Sequence, residues 1–298
     1  MALRVYIPSL GRADRVARSP AAQFSWEADL WWVVSPREAM HYLYELDRLA
    51  IPGHIAICPI QGDGEHTLPD IRVWIGEHAA ADGVEHHMQM DDDICFLVRQ
   101  GPDTWKLRKA EREDVDQMLD WIDRQLETNE LVSISGREGN NRGGIGGPEE
   151  LSKPNTRTMR ALAYQTTPFL SLYHSRMDDL EDFDLCLQIL RRGGSNVVSY
   201  YWAQGQRMTQ EDGGCALYRK HDTHDAACRE LARLHPGHVT VVQKENKGGG
   251  EFGKRTEVRV GWKTAWMEGQ RRVADRHTHG DSGAGDRRVG ADAPSGVS

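Results

Sequence analysis

What the chain lacks narrows it first. It has no run of about 18 apolar residues, the length a bilayer-crossing helix needs, so no membrane segment and no membrane partner are expected. Its opening, MALRVYIPSL, meets Pro8 and Gly11 too early to form the apolar centre of a secretion signal. Cysteine is scarce: Cys58, Cys95, Cys186, Cys215 and Cys228 are odd in number and contain no Cys-x-x-Cys pair. That argues against a zinc ribbon or a disulfide framework and suits a reducing, cytoplasmic compartment. Cationic excess is missing too. With 37 Lys plus Arg against 45 Asp plus Glu, the net charge is −8. A protein that coats DNA through a wholly basic surface is thereby excluded, while a local basic groove is not. What is present is 298 residues, 39% of them hydrophobic and nine of them Trp, enough for a real core and too apolar for wholesale disorder.

The apolar pattern alternates between strand and helix periods. Leu3 to Ile7 reads as a strand broken by Pro8-Ser9-Leu10-Gly11-Arg12, Leu30 to Val34 as a second ending at Ser35-Pro36, and His54 to Ile60 as a third. Between the last two, Ala39 to Leu49 has helical spacing through Tyr42, Leu43, Leu46 and Leu49. His86 to Met90 and Ile94 to Val98 are strands separated by three aspartates. Glu111 to Glu130 is an amphipathic helix with an apolar stripe of Val115, Met118, Leu119, Ile122 and Leu126. Strand, helix and strand recur through Leu131–Ser135, Ala161–Tyr173, Asp178–Arg192, Val197–Trp202, Thr223–Leu234 and His238–Gln243. The expectation is an α/β fold: a single-domain sandwich over residues 1–268 with a central, mostly parallel sheet flanked by helices. Residues 269–298, polar and rich in Gly, Asp and Arg, read as a disordered tail. Ligands of such sheets sit outside the carboxyl ends of the strands, which brings Pro8 to Arg12, Ser35 and Pro59 to Gly64 toward one crevice.

Five segments could carry chemistry. Asp91-Asp92-Asp93 gathers three carboxylates between two apolar strands. Their repulsion is relieved by a divalent cation, which would complete its shell with water and substrate phosphates; the plain alternative is a solvated turn. Pro8 to Arg15 offers a small polar loop with Arg12 and Arg15, whose guanidinium forks suit phosphate oxygens. Asp178 to Asp184 holds five acids at a helix start. The helix dipole stabilises acids there, and one of them could equally serve as a general base. Lys244 to Lys263 carries six basic and three acidic residues around a glycine cluster, either a phosphate-contacting segment or an exposed hairpin. His221 and His224 could offer imidazole to a metal or simply lie at a helix start. Gly136 to Gly147, with six glycines in twelve residues, is either a connector or a lid beside the site.

In order along the chain, IPSLGRADR, MDDDI, EDFDLCLQILRRGG and HPGHVTVVQKENKGGGEFGKR with VRVGWK resemble the TET-associated glycosyltransferases, over about residues 3 to 265. That family occurs in bacteriophages and some eukaryotes and attaches sugars to hydroxymethylated pyrimidines in DNA. The resemblance implies a GT-A fold, a nucleotide-sugar donor such as a UDP-sugar, and Mn²⁺ or Mg²⁺. It implies that Pro8, Ser9, Gly11, Arg12 and Arg15 line the nucleotide. Asp91 and Asp93 would hold the metal, with Asp92 facing ribose or sugar hydroxyls. Asp182, beside Glu181, would act as the base on the acceptor hydroxyl, with inversion of the anomeric centre. His221 or His224 would complete the metal shell. Lys247, Lys254 and Arg255 would contact the donor diphosphate or the DNA backbone. If phage-encoded, the protein would work in the host cytoplasm. Three other readings compete: transfer to a protein or glycan, a non-enzymatic nucleic-acid-binding module, and a nucleotidyltransferase that releases pyrophosphate.

Overall fold

The structure, a computed structural model, describes residues 3–136, 147, 150–174, 176–206, 221–245 and 254–279. Its centre is a ten-stranded sheet with the spatial order β3-β2-β1-β4-β9-β7-β10-β5-β6, while β8 pairs with β10 off that path. The strands are β1 (Leu3–Pro8), β2 (Leu30–Val34), β3 (His54–Ile57), β4 (His86–Met90), β5 (Ile94–Arg99), β6 (Leu107–Lys109), β7 (Leu131–Gly136), β8 (Ser152–Pro154), β9 (Ala161–Gln165) and β10 (Asn196–Gln206). The pairings make β1, β2, β3, β4, β6, β7 and β10 run one way and β5, β8 and β9 the other, so the sheet is mostly parallel, as the strand–helix alternation predicts. The long β10 serves two neighbours on one side. Val197 to Ser199 meets β8, and Trp202 to Gln206 meets β5, with the register shift against β7 between them.

Alternation along the strands assigns the two faces. Leu3, Val5, Ile7, Leu30, Trp32 and Val34 point into a core closed by α1 (Ala39–Leu49) and α3 (Arg112–Leu126). Tyr6, Val33 and Ala56 point the other way, under Ile71, Ile75 and Ala79 of α2 (Leu68–Ala81). On that second face β7 and β9 contribute Leu131, Leu162 and Tyr164, which pack with α5 (Glu181–Arg191), α6 (His221–Leu234) and α7 (Trp262–His279). A hairpin of β11 (Val239–Glu245) and β12 (Lys254–Val260) joins the same cluster through Val239, Val258 and Val260.

Several elements differ from the sequence reading, among them the short strands β6 and β8, and three differences matter most. Helix α2 was not anticipated, although Thr67 and Asp70 close a reciprocal capping box at its start. Pro168 does not interrupt a strand; β9 ends at Gln165 and a short helix, α4 (Thr166–Leu170), takes over. The expected tail begins too early. Residues 269–279 continue α7, because Gly269 lets that helix approach the α5 backbone so closely that an added Cβ would stand 2.1 Å from the Leu190 carbonyl oxygen. Gln270 then donates to the Gly193 carbonyl at 2.7 Å. Small residues, not an apolar period, make this contact. Residues 280–298 lie outside the described residues.

Candidate active site

The carboxyl ends of β1, β2 and β4 reach the same edge of the sheet. Pro8 closes β1 beside Val33, and Ser9 follows, buried, with its N–H on the Val33 carbonyl. The Ser9 hydroxyl donates to Asp92 Oδ2 at 2.5 Å, and Arg12 Nη1 donates to Asp92 Oδ1 at 2.5 Å. Ser9 has spent its only proton, so Tyr42 is the donor in the 2.7 Å contact between their hydroxyls, and Tyr42 in turn accepts the Arg12 N–H. Gln61 clamps the Ser9 carbonyl at 2.8 Å. Glu38 accepts the Gly11 N–H at 2.7 Å and the Ser35 hydroxyl at 2.8 Å. Gly11 turns the chain at φ 70°, where a side chain is rarely tolerated. Arg15 stands in the 3-10 turn Ala13–Arg18 just beyond. The loops after β1, β2 and β3 thus form one hydrogen-bonded unit around Asp92. Burial pushes the Asp92 carboxyl up, against the pull of Arg12 and the Ser9 hydroxyl.

The second half of the site is anionic. Asp91 directly follows β4, its N–H held by the Arg160 carbonyl at 3.3 Å. Arg72, 5% exposed, reaches from α2 with Nη2 3.5 Å from Asp91 and Nη1 3.3 Å from Glu181. Burial works against the Arg72 charge, but Glu181 and Asp91 outweigh it and keep the guanidinium ionised. Burial lifts Asp91 to about 6, opposed by Arg72 and reinforced by Asp93 and Asp92. Burial, then the neighbouring Glu181 charge, raises Asp182 to about 7, with Arg72, Arg157 and the Phe183 N–H pulling the other way. A half-buried carboxyl poised near neutral pH can take or give a proton under working conditions, as a general base must.

The structure therefore brings the β1 loop to the aspartate trio, and the trio through Arg72 to Glu181. Asp93 follows half-buried, one residue before β5. His224 lies on α6 with Nδ1 2.6 Å from Asp179 Oδ2 and Nε2 3.6 Å from the Cys228 sulfur. The side chains of His221, Lys254 and Arg255, and the whole of Lys247 and residues 137–146, lie outside the described residues. Among the described residues, no three His, Cys, Asp or Glu side chains form a ready cation cage. Arg72, Tyr42 and Glu38 escape the sequence reading as site residues, and Gln61 falls within the Pro59 to Gly64 segment it brings to the crevice without being singled out. For Arg72 the usable signal was the Thr67–Asp70 capping box, which announces the helix that carries it.

Fold and site together define an α/β enzyme whose acidic and basic groups converge at the carboxyl edge of its sheet, the place where such folds bind phosphorylated ligands. The chain belongs to the TET-Associated Glycosyltransferase family, whose sequence profile matches residues 3–214, and it is a glycosyltransferase. The match takes in β1 through β10 and both acidic motifs. No curated protein matches the chain. Among solved structures it is similar to glucosyl-3-phosphoglycerate synthase of Mycobacterium tuberculosis in complex with Mg²⁺ and UDP, at 11% identity over 87% of each chain with a TM-score of 0.46. The same enzyme in complex with Mn²⁺, UDP-glucose and phosphoglyceric acid gives 13% identity, 88% and 90% coverage and a TM-score of 0.45. Mouse xyloside xylosyltransferase 1 gives 9% identity over 63% of this chain and 74% of that one, with a TM-score of 0.34.

Proposed function

We propose that the protein moves a sugar from a UDP-sugar to the hydroxymethyl group of 5-hydroxymethylcytosine in DNA, with inversion at the anomeric carbon. The observation that carries this reading is the bridge from Asp91 through Arg72 to Glu181, which ties a donor-side carboxylate to the acid pair of α5. On the donor side, Pro8, Ser9, Gly11, Arg12 and Arg15 line the nucleotide. Asp92, fixed by hydrogen bonds to both carboxylate oxygens, has only its remaining lone pairs to offer to ribose or sugar hydroxyls. Lys247, Lys254 and Arg255 neutralise phosphate charge.

Asp91 and Asp93 fit a hard divalent ion. They are oxygen donors crowded enough that Asp93 helps lift Asp91 to about 6, and an ion held by one or two carboxylates takes its other ligands from water and substrate phosphates. Mn²⁺ or Mg²⁺ held there would supply neutralisation of the departing diphosphate, with His221 or His224 as candidate nitrogen donors that the family motif does not fix. Asp182 removes the proton from the acceptor hydroxymethyl oxygen, while Glu181, tethered to Arg72, keeps the start of α5 in place. The hydroxymethyl group projects into the major groove, and enclosing it requires the base to leave the stack.

Mass spectrometry of nucleosides from hydroxymethylcytosine DNA, incubated with the protein, Mn²⁺ and a panel of nucleotide sugars, tests the reading. The expected result is a hexose or pentose mass increment that disappears with a chelator and in Asp93→Ala. An increment on a glycan or protein acceptor and none on DNA would overturn the acceptor assignment.

A further inference from the structure

From Leu151 to Met177 this acidic chain has no Asp or Glu, yet it places Lys153, Arg157, Arg160 and Arg176 there. The stretch includes the connection from β8 to β9, residues 155–160, which lies against the site. Its backbone is tied down. Asn196, fully buried, accepts the Thr156 N–H on its side-chain oxygen at 2.9 Å, donates to the Thr156 carbonyl at 2.8 Å, and takes the Asn155 N–H on its own carbonyl at 2.9 Å. Gln204 holds the Met159 carbonyl at 2.6 Å. The loop begins and ends on left-handed residues, Asn155 at φ 51° and Arg160 at φ 56°. Such conformations cost energy for a side chain other than glycine and persist only when the surroundings impose them.

What this anchored loop displays is positive charge. The Arg157 guanidinium stacks 4.6 Å from the centre of the Phe183 ring, one residue after Asp182. That stacking fixes the plane of the fork and leaves its edge N–H groups for another partner. Arg160 is half-buried, its carbonyl on the Asp91 N–H, and its Nη1 is buried with no hydrogen-bond partner. Among the described residues, no carboxylate lies within ion-pair distance of Arg157 or Arg160. Two guanidinium groups are thus held beside five carboxylates, Asp91 to Asp93 and Glu181 to Asp182, without being consumed by them. A polyanionic acceptor entering this acidic crevice requires such a counter-charge.

We propose that Arg157 and Arg160 clamp a backbone phosphodiester of the acceptor nucleic acid, flanking the nucleotide whose hydroxymethyl group meets Asp182. This deepens the function proposed above and rests on its DNA acceptor. The donor diphosphate shares the same chemistry. Arg157 stands on the Phe183 side, with the acceptor base, while Ser9 and Arg12 occupy the donor side, and that assigns the clamp to the acceptor.

The test is fluorescence anisotropy with a labelled duplex carrying one hydroxymethylcytosine, without donor, at several salt concentrations, alongside calorimetry with UDP and Mn²⁺. Arg157→Gln and Arg160→Gln are each expected to weaken duplex binding about tenfold and to lower the slope of log K against log salt by about one, with UDP affinity unchanged. Arg157→Lys, which keeps the charge, should restore most of the slope. Circular dichroism of each variant guards against misfolding, and Arg157, being exposed, is the safer of the two. Unchanged duplex binding in both variants, or a loss confined to UDP, overturns the clamp while leaving the DNA acceptor intact. Failure of the wild-type protein to bind the duplex at any salt overturns both.

Discussion

Replacing Arg72 with methionine probes the joint between the two halves of the site. The guanidinium lies 3.3 Å from Glu181 and 3.5 Å from Asp91, so each attraction is about 5 kcal/mol at an effective dielectric of about 20. Desolvation cancels much of this. Removing one partner of a buried ion pair, which strands the opposite charge, costs about 3–5 kcal/mol. The stranded carboxylates can escape by binding protons. Asp91 and Asp182 already titrate at about 6 and 7, far above their unfolded values, so the native state holds extra protons and loses stability as pH rises through that range. Without Arg72 both rise further, and the added penalty develops as pH climbs past the wild-type values. Urea denaturation of metal-free protein at pH 5.5 and 8.5 measures it. Arg72→Met should lose under about 1 kcal/mol at the lower pH and about 3 kcal/mol at the higher, and Arg72→Lys should fall between wild type and Met. An equal loss at both pH values, or a loss below about 1 kcal/mol at pH 8.5, would refute the bridge as the element that balances these acids.

Two further outcomes follow from the same geometry. Asp182→Asn should cut sugar transfer about 10²–10⁴-fold while UDP binding persists, and wild-type kcat/KM should climb with pH and level off above about 7, because only the ionised carboxyl accepts the proton; a rate profile flat from pH 5.5 to 8.5 would contradict this. Asn196→Ala leaves the Thr156 N–H and carbonyl without their partner and should cost about 1–3 kcal/mol, read as a fall in Tm of several degrees by calorimetry.

How much could be read from the residues alone depended on where the signal lay. The β1 strand and its Pro-Ser-Leu-Gly break, the amphipathic α3 and the aspartate trio between two apolar runs are local patterns, and each stands where its period puts it. Helix α2 was hidden because its sequence, LPDIRVWIGEHAAA, is apolar on too many sides to show one stripe; it packs against the sheet and against α4 at once. Arg72 went with it, since a lone arginine announces nothing until the helix aims it at two carboxylates. The stretch from Gly269 reads as a tail because it is polar, rich in Gly, Asp and Arg and without an apolar period, whereas the missing Cβ of Gly269 is what lets α7 touch α5. The Ser9–Asp92 and Arg12–Asp92 contacts join residues about eighty positions apart and have no periodic signature.

The place of β9 in the sheet has a consequence for how the chain is made. Residues 161–165 lie between β4 and β7, which were synthesised tens of residues earlier. Until β9 leaves the ribosome, β4 presents an open rim of unpaired backbone N–H and C=O groups to whatever is nearby, and β7 cannot join the first four strands at all. Exposed rims of this kind are where nascent chains stick to one another. A fragment ending before residue 161 should therefore precipitate, whereas one that includes β9 can knit both halves together.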